Sequence, residues 1–294
     1  MTTAVTIPAR SEIPWTRIAW FGLLLIACFA PVFKALVAAW WNDADMGHAY
    51  FVPLVSGYIA WQKRGELLAI APEPNWWGLV LVLVGGCQLI AATLGVELFL
   101  ARTALIVMLI GMVWMLGGTA ILKKLAFPLL LLFFMVPIPT IVYTRITFPL
   151  QIKASQFAEW ALTVIDIPVV REGNILELPN HRLSVVEACS GIRSLLTLTF
   201  LSLVYGHFFE RRKWLRLLLF AATIPIAILA NGSRVAITGI LTQIKPELAE
   251  GFFHESTGMV TFFAAVVILF IFHQTVARAA HYLEARRRSH ALSG

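Results

Sequence analysis

The chain has 294 residues, of which 59% are hydrophobic and only 13% charged, with a formal net charge of +7 and a mean hydropathy of +0.81. A soluble domain is about 45–50% apolar, so this composition excludes a soluble cytosolic enzyme, a disordered chain and a disulfide-dense secreted scaffold. It describes a polytopic membrane protein.

A bilayer core of about 30 Å takes about 20 helical residues, and only helices or closed barrels satisfy their backbone groups inside it. The long continuous apolar runs predict an all-α protein of about eight spans, at 18–41, 48–61, 76–94, 98–118, 125–142, 191–209, 215–230 and 257–277. The second is short. The N-terminus lacks the apolar core and small-residue cleavage site of a removable signal, so the first span is expected to be retained. We read 1–294 as a single integral membrane domain without internal repeats.

Charge sets the expected orientation. Eight crossings that start inside put fourteen of the 23 Lys and Arg on one side, in clusters that include Lys63-Arg64, Lys123-Lys124 and Arg211-Arg212-Lys213. By the positive-inside rule both termini are then cytoplasmic. None of these clusters is interleaved with an aromatic-bearing polar face, so nucleic acid is not an expected partner.

Residues 143–188 are too polar to span and fall on the outer face. Their first half, 146–165, carries Ile152, Phe157, Trp160, Leu162 and Val164 opposite Gln151, Lys153, Gln156 and Glu159. This spacing predicts an interfacial helix that buries its apolar side. The second half, 167–186, predicts short strands in a small β-hairpin broken by Glu172-Gly173-Asn174 and Pro179-Asn180-His181.

Three polar clusters then reach the same membrane level. The first is Glu187-Ala188-Cys189-Ser190-Gly191-Ile192-Arg193, where strand chemistry gives way to a span. A thiol at the start of a helix meets unpaired N–H groups and the positive end of the dipole, with Arg193 at i+4; both favour the nucleophilic thiolate. Cys28 and Cys87 lie inside apolar runs and read as small buried residues. They are also at the wrong depth to pair with Cys189.

The second cluster is Asn231-Gly232-Ser233-Arg234, read as the polar end of the span that starts near Leu215; a guanidinium close to hydrocarbon is by default functional. The third is His254-Glu255, just before the last span. Thiolate, imidazole and guanidinium are the parts of acyl transfer. No compact Cys/His spacing, phosphate-cradling loop or dinucleotide fingerprint is present, so neither a metal nor a cofactor is expected.

At these motifs the chain resembles the exosortase/archaeosortase family, in its bacterial branch. The resemblance implies a membrane-embedded cysteine protease-transpeptidase of the bacterial inner membrane with its site on the periplasmic face. Its implied partners are secreted proteins with a C-terminal sorting signal: a short motif, often Pro-Glu-Pro, one transmembrane helix and a basic tail. By similarity Cys189 is the nucleophile, Arg234 its basic partner and His254 the acid/base, with Glu187, Ser190, Arg193, Asn231 and Glu255 as supporting candidates. Two competing readings stay open. One is a transporter or scaffold in which Arg102, Arg193 and Arg234 line a polar path; the other is a membrane acyltransferase.

Overall fold

The structure is a computed structural model that describes residues 15–179, 181–185, 192–245 and 251–292. It is predominantly helical and carries one small antiparallel sheet. The chain divides into two compact units, 1–139 and 140–294. Among the described residues, five helices are long and apolar enough to cross a membrane.

In the first unit, α1 is Trp15–Asn42, α2 Phe51–Gln62, α3 Arg64–Leu68, α4 Trp76–Leu94 and α5 Leu98–Leu131. Asn75 caps α4 by accepting from Trp77 N (2.9 Å), and Glu97 caps α5 by accepting from Leu100 N (2.6 Å). Both supply the oxygen that the first turn of a helix leaves unanswered. At 12 residues, α2 is about 18 Å long, too short to cross alone.

Gly118 interrupts α5 with φ 80° and ψ −179°, a backbone region open essentially to glycine alone. The consequence follows from two bonds to α1. Arg102 donates to Ala35 O (3.2 Å), and Trp40 Nε1 donates to Met135 O (2.8 Å). Ala35 and Trp40 are about 7.5 Å apart along α1, whereas a straight helix would part residues 102 and 135 by about 50 Å. The chain therefore doubles back at Gly118, and what hydropathy counts as one stretch, Leu98–Met135, is two antiparallel limbs.

The first limb packs on α4 through glycines: a Cβ on Gly111 would sit 2.8 Å from Val82 N, and one on Gly85 3.1 Å from Met108 N. Such small residues let backbones approach where no hydrophobic drive separates helix from lipid. The second limb runs against α2, with Lys63 Nζ donating to Lys124 O (3.0 Å) at one end and His48 Nε2 lying 3.1 Å from Phe134 O at the other. The expected break between 98–118 and 125–142 is thus real. Its far boundary is corrected, because the limb ends by Met135 and residues 140–142 open the next helix.

Gly118→Ala should destabilise the protein by about 1–3 kcal/mol through its backbone angles alone, with a further clash against Glu73 O. A lowered thermal midpoint of the purified protein checks this. Gly22→Ala, whose added methyl meets nothing within 4 Å, is the control and should unfold no lower than wild type, since alanine is the better helix former.

The second unit comprises α6 (Thr140–Val164), β1 (Val170–Glu172), β2 (Ile175–Leu178), β3 (His181–Ser184), α7 (Ile192–Phe209), α8 (Lys213–Ile244) and α9 (Gly251–Leu292). The sheet is a three-stranded meander in the order β1-β2-β3, one strand more than a hairpin. Gly173, at φ 64°, opens the two-residue β1–β2 loop; a positive φ at that position suits the twist of a tight hairpin.

Helix α6 follows the expected amphipathic division in part: Leu162 is buried and Lys153 and Gln156 are exposed, but Gln151 is buried and Trp160 and Val164 are not. Its buried stripe is Thr147, Gln151, Ala154, Ser155, Ala158 and Leu162, while Trp160 and Val164 are 60% and 63% exposed. Gln151, Ser155 and Glu159 are engaged by the sheet: Asn174 Nδ2 donates to Gln151 Oε1 (3.2 Å), Ser155 Oγ to Gly173 O (3.1 Å) and Arg171 Nε to Glu159 Oε2 (2.7 Å). Hydrogen bonding to the strands satisfies these groups, while Trp160 and Val164 of the apolar side face outward. Leu176, Leu178, Leu183 and Val185 complete the contact by packing with Ala158 and Leu162 of α6 and Val235 and Ala236 of α8.

Candidate active site

Helices α8 and α9 run antiparallel. Arg212 NH2 donates to Glu284 Oε2 (3.0 Å) near one end of the pair, and Arg234 meets Gly258 near the other. Between them Leu219, Ala222, Ile226 and Ala227 pack with Ala265 and Leu269, and with Leu198 of α7. The apolar run from Leu215 does not end at Asn231-Gly232-Ser233-Arg234, as the sequence suggests; α8 continues ten residues beyond Arg234 to Ile244. A polar quartet ends a helix only where nothing else receives it, and here Asn231, Gly232 and Arg234 are received by the packing around α8.

Asn231 is 7% exposed. Gly232 lies under α6, where a Cβ would come within 2.7 Å of Phe157 Cδ1 and 3.0 Å of Ala154 O. Arg234 is half-buried and turns its guanidinium onto α9. A Cβ built on Gly258 would meet Arg234 Cζ at 2.9 Å, NH2 at 3.1 Å and NH1 at 3.2 Å. All three are atoms of one plane, so the guanidinium lies across the glycine. Position 254 is one turn earlier on the same stripe of α9. Arg234 and position 254, 20 residues apart in sequence, are therefore brought together at a single helix crossing.

The backbone of His254 and Glu255 forms the first turn of α9, and their side chains lie outside the described residues, as do Glu187, Cys189 and Ser190 entirely. The described chain does approach the Cys189 motif from both sides. Val185, fully buried, packs in the cluster that contains Val235 and Ala236, the residues after Arg234. On the far side α7 opens at Ile192. Thr199 Oγ1 and Thr223 Oγ1, 3.3 Å apart, set the register of α7 against α8, and counting turns from them puts exposed Arg193 about 7–8 Å short of the level of Arg234. Arg102 belongs to the first unit, where it is 8% exposed and bonded to Ala35 O. Cys28 and Cys87 are exposed on their helices rather than buried, a correction that follows from lipid-facing surfaces being as apolar as a core.

With this geometry in hand, comparison with protein families is decisive. The family described as transmembrane exosortase matches residues 40–271, about four-fifths of the chain. The chain belongs to the transmembrane exosortase family. Compared with curated proteins and with solved structures, it matches none. Membership makes this exosortase a multi-pass membrane protein of a protein-sorting family whose members are generally cysteine-type transpeptidases.

The exosortase also contains a polar knot that its sequence does not announce. Tyr205 Oη lies 3.0 Å from His273 Nδ1, and His273 Nε2 lies 3.1 Å from Glu210 Oε2. An Nε2–H donated to the carboxylate leaves Nδ1 to accept from the tyrosine hydroxyl. Burial pushes the Glu210 carboxyl up, but hydrogen bonds from the Arg212 N–H, from His273 and from the Arg211 N–H outweigh it and hold the group below the usual carboxylate range. Arg216 Nε donates to Glu210 O (2.7 Å) as well. The knot ties the adjoining ends of α7 and α8 to the middle of α9, fixing the alignment on which the Arg234–Gly258 contact depends. His273 is more than 60 residues from both Tyr205 and Glu210 in sequence, so no local pattern joins it to them.

Proposed function

We propose that this exosortase is a cysteine protease-transpeptidase that cleaves the C-terminal sorting signal of secreted proteins. The reading is carried by one observation: the Arg234 guanidinium rests on the helix that bears His254, in a family of membrane sorting enzymes. Cys189 is four residues from Val185 and three from Ile192. A fully extended chain spans at most about 3.6 Å per residue, so the thiol is within about 14 Å of a buried residue packed beside Arg234.

The Cys189 thiolate attacks the scissile carbonyl and forms the C–S bond. Arg234 stabilises the oxygen that becomes negative. Protonated His254 delivers its proton to the departing amine as the C–N bond breaks, leaving a thioacyl-enzyme. Water or an acceptor amine, deprotonated by the now neutral imidazole, releases the acyl group and regenerates the thiolate. A substrate of one transmembrane helix with a basic tail inside would present its preceding motif at the outer end of that helix, the level assigned to Cys189.

The orientation belongs to the same proposal: eight crossings in the bacterial inner membrane, termini in the cytoplasm, sheet and Cys189 on the periplasmic side. The adjacency of Lys63 and Lys124 supports a shared side for the two basic clusters they represent. Engineered cysteines at exposed Glu172 and exposed Lys213, in a background without native thiols, test it with an impermeant maleimide on cells with opened outer membranes. Position 172 should label and position 213 should not; the opposite pattern reverses the topology. Mass spectrometry of trapped enzyme should find the substrate acyl group on Cys189 in a hydroxylamine-sensitive linkage.

A further inference from the structure

Gly258 is the eighth residue of α9 and is followed by 34 more helical residues. A glycine in a helix interior gives up stability relative to alanine, because it loses more backbone freedom and contributes no side chain. A local rule broken without visible gain to the fold marks a site where something else is served. Among the described glycines, Gly258 is the one whose added Cβ would strike the charged tip of a side chain; Gly78, Gly111 and Gly118 face backbone, and Gly206 faces only the aliphatic stem of Arg216.

We propose that Gly258 is a positioning residue: the missing side chain makes a flat seat on which the Arg234 guanidinium lies, one helical turn from position 254. The near-equal approach of Cζ, NH1 and NH2 describes a plane laid on the helix surface, not a tip in passing contact. Arg234 is long and flexible, and on α8 alone its guanidinium could point in several directions. The seat removes that freedom before a substrate arrives, which is how preorganised charge stabilises a transition state without reorganising during the reaction. A methyl at 258 would lift the plane off the helix, and a displacement on the order of 1 Å at a charge-stabilising group is costly to turnover. The functional part of this inference rests on the role proposed for Arg234.

The test is a double-mutant cycle on the full-length purified enzyme, Gly258→Ala with and without Arg234→Ala, read by thermal unfolding and by processing of a sorting-signal substrate. With the arginine gone the seat is vacant, and Gly258→Ala should raise the unfolding midpoint as a better helix former; with the arginine present it should not. Gly258→Ala alone should lower kcat by about 10- to 100-fold while substrate crosslinking persists. In an Arg234→Lys background, whose ammonium has no plane to seat, Gly258→Ala should cost little more activity, and this pair serves if Gly258→Ala alone does not fold.

Equal midpoint shifts in both backgrounds, with normal processing by Gly258→Ala and lost processing by Arg234→Ala, would overturn the seat and leave the proposed activity standing. Coupled midpoints with normal processing by both single variants would overturn the positioning role together with the reading of Arg234.

Discussion

Replacing Cys189 by alanine should reduce processing of a sorting-signal substrate by a factor on the order of 10⁴–10⁶, the loss seen when a nucleophile is removed from an enzyme that works through a covalent intermediate. Membrane insertion and the thermal midpoint should hold, since a small residue is exchanged for a smaller one. Cys28→Ala and Cys87→Ala should process normally, because both thiols are exposed on α1 and α4 and belong to the first unit, outside the three polar motifs. Substantial turnover by a folded Cys189→Ala enzyme would end the covalent mechanism and return attention to the transporter and scaffold readings.

The second large effect separates Arg234 from His254. Arg234→Ala should cost about 10²–10³ in kcat, as loss of one oxyanion donor does. Arg234→Lys keeps the charge but gives up the planar fork, and should recover only part of it. His254→Gln should cost about 10²–10⁴ while substrate crosslinking persists. The pH profile assigns the roles. If the protonated imidazole donates to the leaving amine, wild-type activity falls on the alkaline side as that proton is lost, in the range where histidines titrate. His254→Gln should lack that limb and Arg234→Lys should keep it. A His254→Gln enzyme with wild-type turnover and an unchanged profile removes His254 from the chemistry.

The sequence makes legible whatever depends on composition along the chain. Apolar runs locate the helices, Gly117-Gly118 followed by two lysines marks the turn inside Leu98–Met135, and alternation with Gly173-Asn174 marks strands. It misleads where one element's surface is completed by another. The polar side of α6 reads as solvent-facing until Asn174, Gly173 and Arg171 of the sheet engage it. Asn231-Gly232-Ser233-Arg234 reads as the end of a helix until α6 and α9 are seen to receive its side chains and its missing one. His254 and Arg234 are candidates by residue type, but the approach of Arg234 to Gly258, one turn from position 254, depends on the register of α8 against α9. That register is held in part by Tyr205, His273 and Glu210, whose pairing has no signature in the primary structure.

The reversal at Gly118 also bears on how any relative of this chain is counted. Treated as one crossing, Leu98–Met135 shifts the parity of all that follows, and every later loop changes compartment on paper, including the one that holds Cys189. Under the orientation proposed above, the candidate nucleophile would then be assigned to the cytosol. In the proposed topology a single residue with no side chain carries the addressing of the C-terminal half, and a substitution there that still permitted insertion should yield mixed orientations rather than a uniformly misfolded population.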